Sequence, residues 1–150
     1  MKNVFDKLVA EEFIGRVKKL DSHQSPEWGK MTVGQMLAHC NVAYELVYED
    51  KHPKPNAIVK FMLKLFVKET VVGDKPFKKN GQTAPAFKVT ETKDFEVEKV
   101  RLIEYIRKTQ ELGGSHFDGK ESHSFGVLSE KQWSNSFSKH LDHHLSQFGV

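Results

Sequence analysis

Three histidines lie within five residues near the C-terminal end of the sequence: His140, His143 and His144. His140 and His144 are four residues apart, so on a helix they lie on one face, one turn apart. Two imidazoles at that spacing can chelate one metal ion. His143 is rotated by about 100° from His144 on a helix. His143 is therefore less well placed than His144 to bind a metal together with His140, although an i, i+3 pair of His140 and His143 is an alternative.

A second interpretation needs no metal. The C-terminal end of a helix favours imidazolium through the helix dipole, so a histidine near that end can simply be stabilising. This explains one histidine better than it explains three in five residues.

His39 is the candidate third ligand. It lies at the border of the predicted buried face of another helix, where a lone histidine is more often a hydrogen-bonded core residue. Helical bundles, however, build metal sites from inward side chains of facing helices, so His39 can join His140 and His144. Three protein ligands leave positions for water or substrate, which is typical of a catalytic site. Imidazoles suit Zn, Ni, Fe or Cu, and ligand type alone does not choose among them.

Other nearby residues bear on the chemistry. Leu141 stands where an H-E-x-x-H metallopeptidase has its glutamate base, which argues against that class. Cys40 and His39 point about 100° apart on a helix, so we predict a core cysteine rather than a nucleophile pair. His123 is a candidate fourth ligand or proton carrier, with a plain loop histidine as the alternative. Asp142 is predicted to point away from the metal.

The elements that must position these residues are helices. Hydrophobic periodicity and capping signals predict helices over residues 3–20, from Thr32 to the prolines after His52, over 56–68, over 94–111, and from Ser129 to about Phe148. The short helix 56–68 is predicted to turn five apolar residues inward: Ile58, Phe61, Met62, Leu65 and Phe66. Residues 70–92 and 115–128 are predicted to be long loops, which are often functional.

These elements predict an all-α fold. Four long helices, one short extra helix and long connecting loops are expected to form a helical bundle in a single domain over residues 1–150, and the long connections mean that it need not be a simple up-down-up-down bundle. The helix over 94–111 is predicted to bury a partial stripe formed by Val97, Val100, Ile103 and Ile106.

The charge is uneven. The net charge is +3, but residues 51–79 contain eight lysines against Glu69 and Asp74, a balance of +6, which leaves −3 elsewhere. Lys60, Lys64 and Lys68 share one face of the short helix. We predict a solvated face there, with a membrane-surface or nucleic-acid stripe as the alternative. Neither a nucleic acid nor a membrane is expected as a partner.

A cytoplasmic location is expected. The sequence contains one cysteine and therefore no internal disulfide, which fits a reducing compartment. It has no apolar run long enough to cross a bilayer. Its first residues lack the apolar stretch of a signal peptide.

Three tracts resemble the DinB/YfiT-like superfamily of metalloenzymes, and its uncharacterised branch of about this length in particular. Residues 28–40 (WGKMTVGQMLAHC) resemble its tract with a single ligand histidine, and residues 140–149 (HLDHHLSQFG) resemble its closing H-x-x-x-H with a glutamine three residues on. Residues 124–129 also fit, and the resemblance extends over nearly the whole chain. It implies a four-helix core with unusual connectivity and a divalent metal bound by His39, His140 and His144.

The resemblance also implies small-molecule chemistry, including the transfer of low-molecular-weight thiols and metal-dependent hydrolysis. A three-histidine metal can lower the pKa of bound water, polarise a substrate oxygen or activate a thiolate. We therefore expect a hydrolase or thiol-transferase in which the metal and its water do the main chemistry, with no other catalytic residue assigned. The alternative is a non-catalytic binding module with a structural or vestigial metal and a lysine-rich surface for an anionic partner.

A homodimer is the last expectation. It follows mainly from the resemblance, and four aromatic residues in and after the short helix add support: Phe61, Phe66, Phe77 and Phe87.

Overall fold

A computed structural model describes all 150 residues. In chain order the elements are α1 Lys7–Lys19, α2 Val33–Tyr48, α3 Ala57–Phe66, α4 Lys68–Val72, a 3-10 turn Pro85–Phe87, α5 Phe95–Leu112, α6 Gly114–Phe117, β1 Glu121–Ser122, β2 Gly126–Val127 and α7 Glu130–Gln147. The strands form one antiparallel hairpin, with Glu121 opposite Val127. The fold is therefore mostly helical, as predicted, with four long helices: α1, α2, α5 and α7.

The two helices that hold the candidate ligands begin at capping boxes. Thr32 accepts a hydrogen bond from the backbone N–H of Gln35, whose side chain accepts one from the backbone of Thr32. Ser129 and Gln132 make the same reciprocal pair at the start of α7. Each box satisfies two backbone donors that a helix start leaves free. Both predicted caps are confirmed, and they set where α2 and α7 begin.

The core is one cluster of 22 buried residues drawn mainly from the four long helices. Tyr44 of α2 stacks on Phe137 of α7 with ring centroids 4.8 Å apart. Cys40 is fully buried in this cluster, which confirms the prediction of a core cysteine. Burial also raises the pKa of its thiol, so it remains an unreactive thiol at neutral pH.

Several predicted boundaries and segments differ from the structure. α1 begins at Lys7 after an Asp6 cap, so Val4 and Phe5 are buried ahead of the helix rather than on it. The short helix predicted over 56–68 divides at Val67 into α3 and α4. The predicted loop over 115–128 contains most of α6 and the whole hairpin, because elements of two to four residues are too short to show a period.

The predicted burial on α3 is wrong. The five apolar residues expected to point inward are all exposed, at 76% for Ile58, 64% for Phe61, 47% for Met62, 62% for Leu65 and 66% for Phe66. No residue of α3 is buried. Periodicity correctly placed these residues on one face, but that face is not packed into the core.

The buried stripe predicted for α5 is correct only in part. Ile106 is buried and Ile103 partly buried, as predicted, but Val97 and Val100 are exposed and Leu102 is buried instead. The buried face of α5 is thus rotated from the predicted one. None of the helices has both the length and the apolar character needed to cross a bilayer.

Candidate metal centre

The three predicted ligands converge. His39 of α2 and His140 and His144 of α7 each offer one nitrogen, and these nitrogens all lie within 4.8 Å of one another. The Nε2 atoms of His39 and His140 are 2.9 Å apart. The rings of His39 and His144 meet edge to face, with centroids 4.4 Å apart. His39 and His144 are buried, and His140 is partly buried.

The outer nitrogens of two rings are already bonded. The Nδ1 atom of His39 lies 2.8 Å from the carbonyl oxygen of Phe87. The Nδ1 atom of His144 lies 2.8 Å from Oε1 of Gln147. Both partners are acceptors, so in each ring Nδ1 carries the proton and Nε2 keeps its free lone pair. The two rings are thereby oriented as metal ligands usually are, with the second nitrogen held by the protein.

Gln147 links the centre to the loop before α2. Its Oε1 accepts from His144, and its Nε2 donates to the carbonyl oxygen of Trp28 at 2.6 Å. Gly29 adopts a φ of +83°, and a Cβ there would lie 2.5 Å from the Gln147 amide nitrogen. A side chain at this position would therefore meet both backbone strain and a clash. Sequence reasoning identified Gln147 only as part of a motif; its i+3 spacing from His144 was the signal for this contact.

The electrostatics favour neutral imidazoles. Burial lowers the pKa of His144 to about 3. Burial, with the adjacent His144 and His39, holds the pKa of His140 well below 6.5. Burial also lowers the pKa of His39, and this outweighs the opposing effect of the Phe87 hydrogen bond. At neutral pH all three rings are uncharged, which is the form that binds a metal.

The donor set and the spacing fit a transition metal. The cluster consists of imidazoles alone, with no carboxylate or thiolate. Tetrahedral bonds of about 2.05 Å would place ligand nitrogens roughly 3.3 Å apart. The separations in the cluster run from 2.9 Å up to at most 4.8 Å, so side-chain rotations of modest size would reach that spacing. Three buried histidines therefore form a site that could bind a metal.

Aromatic rings from the segment between α4 and α5 cover the centre. The Phe87 ring lies 5.4 Å from the ring of His39 and 5.5 Å from that of His140. Phe77 lies 6.5 Å from His140. The long connection expected to shape a pocket thus lies against the ligands. Two cavities, of about 650 Å³ and about 280 Å³, are lined by other residues and by none of the three histidines.

Other candidate residues lie outside the ligand set. His143 packs edge-on against Trp28 and Phe77, at 5.9 Å and 5.7 Å between centroids. His123 does not reach the cluster, because its ring nitrogens face Ser124 and the carbonyl oxygen of His52. It is a loop histidine, the alternative that sequence reasoning left open.

Asp142 points away from the cluster, as predicted. It accepts a hydrogen bond from Arg16 at 2.7 Å, and its side chain is 55% exposed. The protein thus places no carboxylate base beside the three imidazoles.

A mostly helical protein with a buried three-histidine cluster is the class that this fold and site define. The chain belongs to the family described as Protein of unknown function (DUF1569), which matches residues 5–149. The matched region contains all three histidines. No curated protein matches the chain, and no solved structure matches it.

Proposed function

We propose that this protein is a metal-dependent enzyme that acts on a small molecule, with one divalent transition metal held by His39, His140 and His144. One observation carries the proposal. Neutral imidazoles from two helices converge without a fourth protein ligand, which leaves room for water or substrate at a metal. Zn, Ni and Fe all suit this donor set.

The chain's own residues have separable roles in this proposal. The Phe87 carbonyl and the Gln147 amide hold two of the ligands in the binding tautomer. The rings of Phe77 and Phe87 keep bulk water away. A bound metal would supply Lewis acidity, activating water for hydrolysis or a thiolate for transfer. Because Asp142 faces Arg16, we assign no separate protein base.

We also propose a relationship to the DinB/YfiT-like superfamily. Its support is the order of the ligands: one on α2, then an H-x-x-x-H pair on the last helix with Gln147 three residues on. In this proposal α1, α2, α5 and α7 are the four helices of the bundle.

The second candidate function is a non-catalytic module with a structural or vestigial metal. One observation favours it: the ring of Phe87 packs against two of the three histidines. The two functions differ in what completes the coordination. Bound water or an exchangeable ligand supports the enzyme, whereas a fourth protein ligand supports a structural metal.

The test begins with elemental analysis of protein purified without a nickel column. We expect about one metal per chain, in line with a single site. His39→Ala, His140→Ala and His144→Ala should each lose it. His143→Ala is the matched control because His143 lies on the same helix, next to His144, but outside the cluster. Metal content unchanged in the three variants would refute the ligand assignment. X-ray absorption of the loaded protein then distinguishes three nitrogen ligands plus water from four protein ligands.

Homodimerisation stays a prediction. Phe77 and Phe87, two of the aromatics that supported it, lie at the metal centre. Phe61 and Phe66 remain exposed. Light scattering at high micromolar concentration measures the mass directly.

A further inference from the structure

The exposed face of α3 contains a concentration of large apolar side chains. Seven apolar residues between positions 58 and 67 are at least 37% exposed: Ile58, Val59, Phe61, Met62, Leu65, Phe66 and Val67. Contiguous apolar surface of this kind marks an interaction site. Scattered exposed apolar residues are normal, but here they are concentrated on one short helix.

The orientation of α3 is held by its lysines. Lys60 forms an ion pair with Glu121 of the hairpin at 2.5 Å. Lys68, just after α3, donates to the carbonyl oxygen of Val127 at 3.4 Å. At about 100° per residue, the exposed residues from Phe61 round to Val59 span an arc of roughly 160°. These contacts tie the opposite edge of the helix to the protein and leave the apolar arc facing outward.

The segment that contains α3 carries an excess of positive charge, although Lys51 and Lys60 are paired with glutamates of other segments. Residues 51–68 contain five lysines and no acidic residue. Lys54 and Lys64 are exposed and form no ion pair within the chain. A second copy docked face to face would bring lysines against lysines, which is unfavourable. An anionic surface with an apolar interior complements both features, and lysine-flanked amphipathic helices are typical of membrane interfaces.

We propose that α3 docks on the surface of an anionic lipid bilayer, lying parallel to it with Phe61 and Leu65 inserted at the headgroup boundary. The sequence analysis expected a solvated lysine face and no membrane partner; the exposed apolar face of α3 is the observation that favours the membrane-surface alternative. A helix of ten residues is about 15 Å long, so it lies on a bilayer and does not span it. The proposal is independent of the proposed metal chemistry.

The test is co-sedimentation of the full chain with vesicles. Vesicles of phosphatidylcholine alone are compared with vesicles that also contain phosphatidylglycerol, at low and high salt. We expect binding only to the anionic vesicles, weakened by salt. Lys54→Gln with Lys64→Gln should reduce partitioning roughly thirtyfold at low salt, because each lysine near the surface contributes to attraction.

A second pair of variants tests the apolar contribution. Phe61→Ser with Leu65→Ser should reduce partitioning by more than about tenfold. Both side chains are over 60% exposed, so the fold should be preserved, and circular dichroism checks this. Val97→Ser with Val100→Ser on α5 is the matched control, because those valines are also about half exposed and should leave partitioning unchanged.

Three results would overturn the proposal. The first is no binding to anionic vesicles, and the second is equal binding to neutral vesicles. The third is unchanged binding by the Phe61→Ser, Leu65→Ser variant. A dimer in light scattering that the same variant dissociates, with no vesicle binding, would assign this face to a second copy instead.

Discussion

Two buried polar clusters in this protein are satisfied in different ways. Glu45 of α2 is 4% exposed and contacts Arg101 and Lys51 at 2.6 Å and His52 at 2.7 Å. Opposite charges thus neutralise it within the chain. The histidine cluster brings together three groups of one kind, with the second nitrogens of His39 and His144 hydrogen-bonded and one nitrogen of each ring turned toward the other two.

This difference separates a self-sufficient ionic network from a cluster that could bind a metal. The carboxylate cluster needs nothing from outside because donors and acceptors match. The Nε2 atoms of His39 and His144 are acceptors because their Nδ1 atoms carry the protons, and a metal ion would accept a lone pair from each of the three rings. The comparison predicts that a metal ion will stabilise one cluster and leave the other unaffected.

The largest expected effect is stabilisation by zinc. A ligand present at about a thousand times its Kd stabilises the folded state by about 4 kcal/mol. We expect a corresponding rise in Tm for the chelator-treated protein when Zn²⁺ is added back. His144→Ala should abolish the rise and Glu45→Gln should keep it. A rise of equal size in His144→Ala would show that zinc binds elsewhere.

The next effect concerns the carboxylate cluster and its pH dependence. Burial alone would raise the pKa of Glu45, but hydrogen bonds from Lys51, His52 and Arg101 outweigh it, so the pKa lies below 4.5. A depressed folded pKa contributes stability above the unfolded value that is lost as pH falls through the folded one. Glu45→Gln should therefore cost about 2 kcal/mol at pH 7, allowing for partly exposed partners.

Denaturant titrations of both proteins across pH check this prediction. The difference in unfolding free energy between the native protein and Glu45→Gln should shrink as pH falls below 4.5. A difference that is constant down to pH 3 would contradict the assigned interaction.

The smallest effect concerns the support of His144. Gln147→Ala removes the acceptor at Nδ1 and the link to Trp28. Loss of such a supporting contact should weaken metal affinity roughly tenfold.

Gly29→Ala should act in the same direction, because its Cβ would displace the Gln147 amide. Isothermal titration with Zn²⁺ measures both, and Gly119→Ala is the control for strain at positive φ because nothing lies within 4 Å of its added Cβ. An unchanged affinity for Zn²⁺ in Gln147→Ala would show that Gln147 does not support the metal site.

Local patterns predicted much of the candidate site. The i, i+4 spacing placed His140 and His144 on one face before any fold was known. The capping boxes at Thr32 and Ser129 fixed where both helices begin. Local patterns could not predict the hydrogen bond between His39 and the carbonyl oxygen of Phe87, because the two residues are 48 positions apart in the sequence. That contact depends on the path of an irregular segment, which has no periodic signal.

The sequence by itself determined the four long helices, the caps of α2 and α7, and which residues of a helix share a face, because these depend on backbone hydrogen bonding and periodicity within a few residues. The tertiary structure decided which of those faces meet a partner. It brought His39 of α2 against α7, and it turned the apolar face of α3 away from the core. Both helices carry apolar residues at helical spacing, and only the packing of distant elements distinguishes a face that is buried from one that is left exposed.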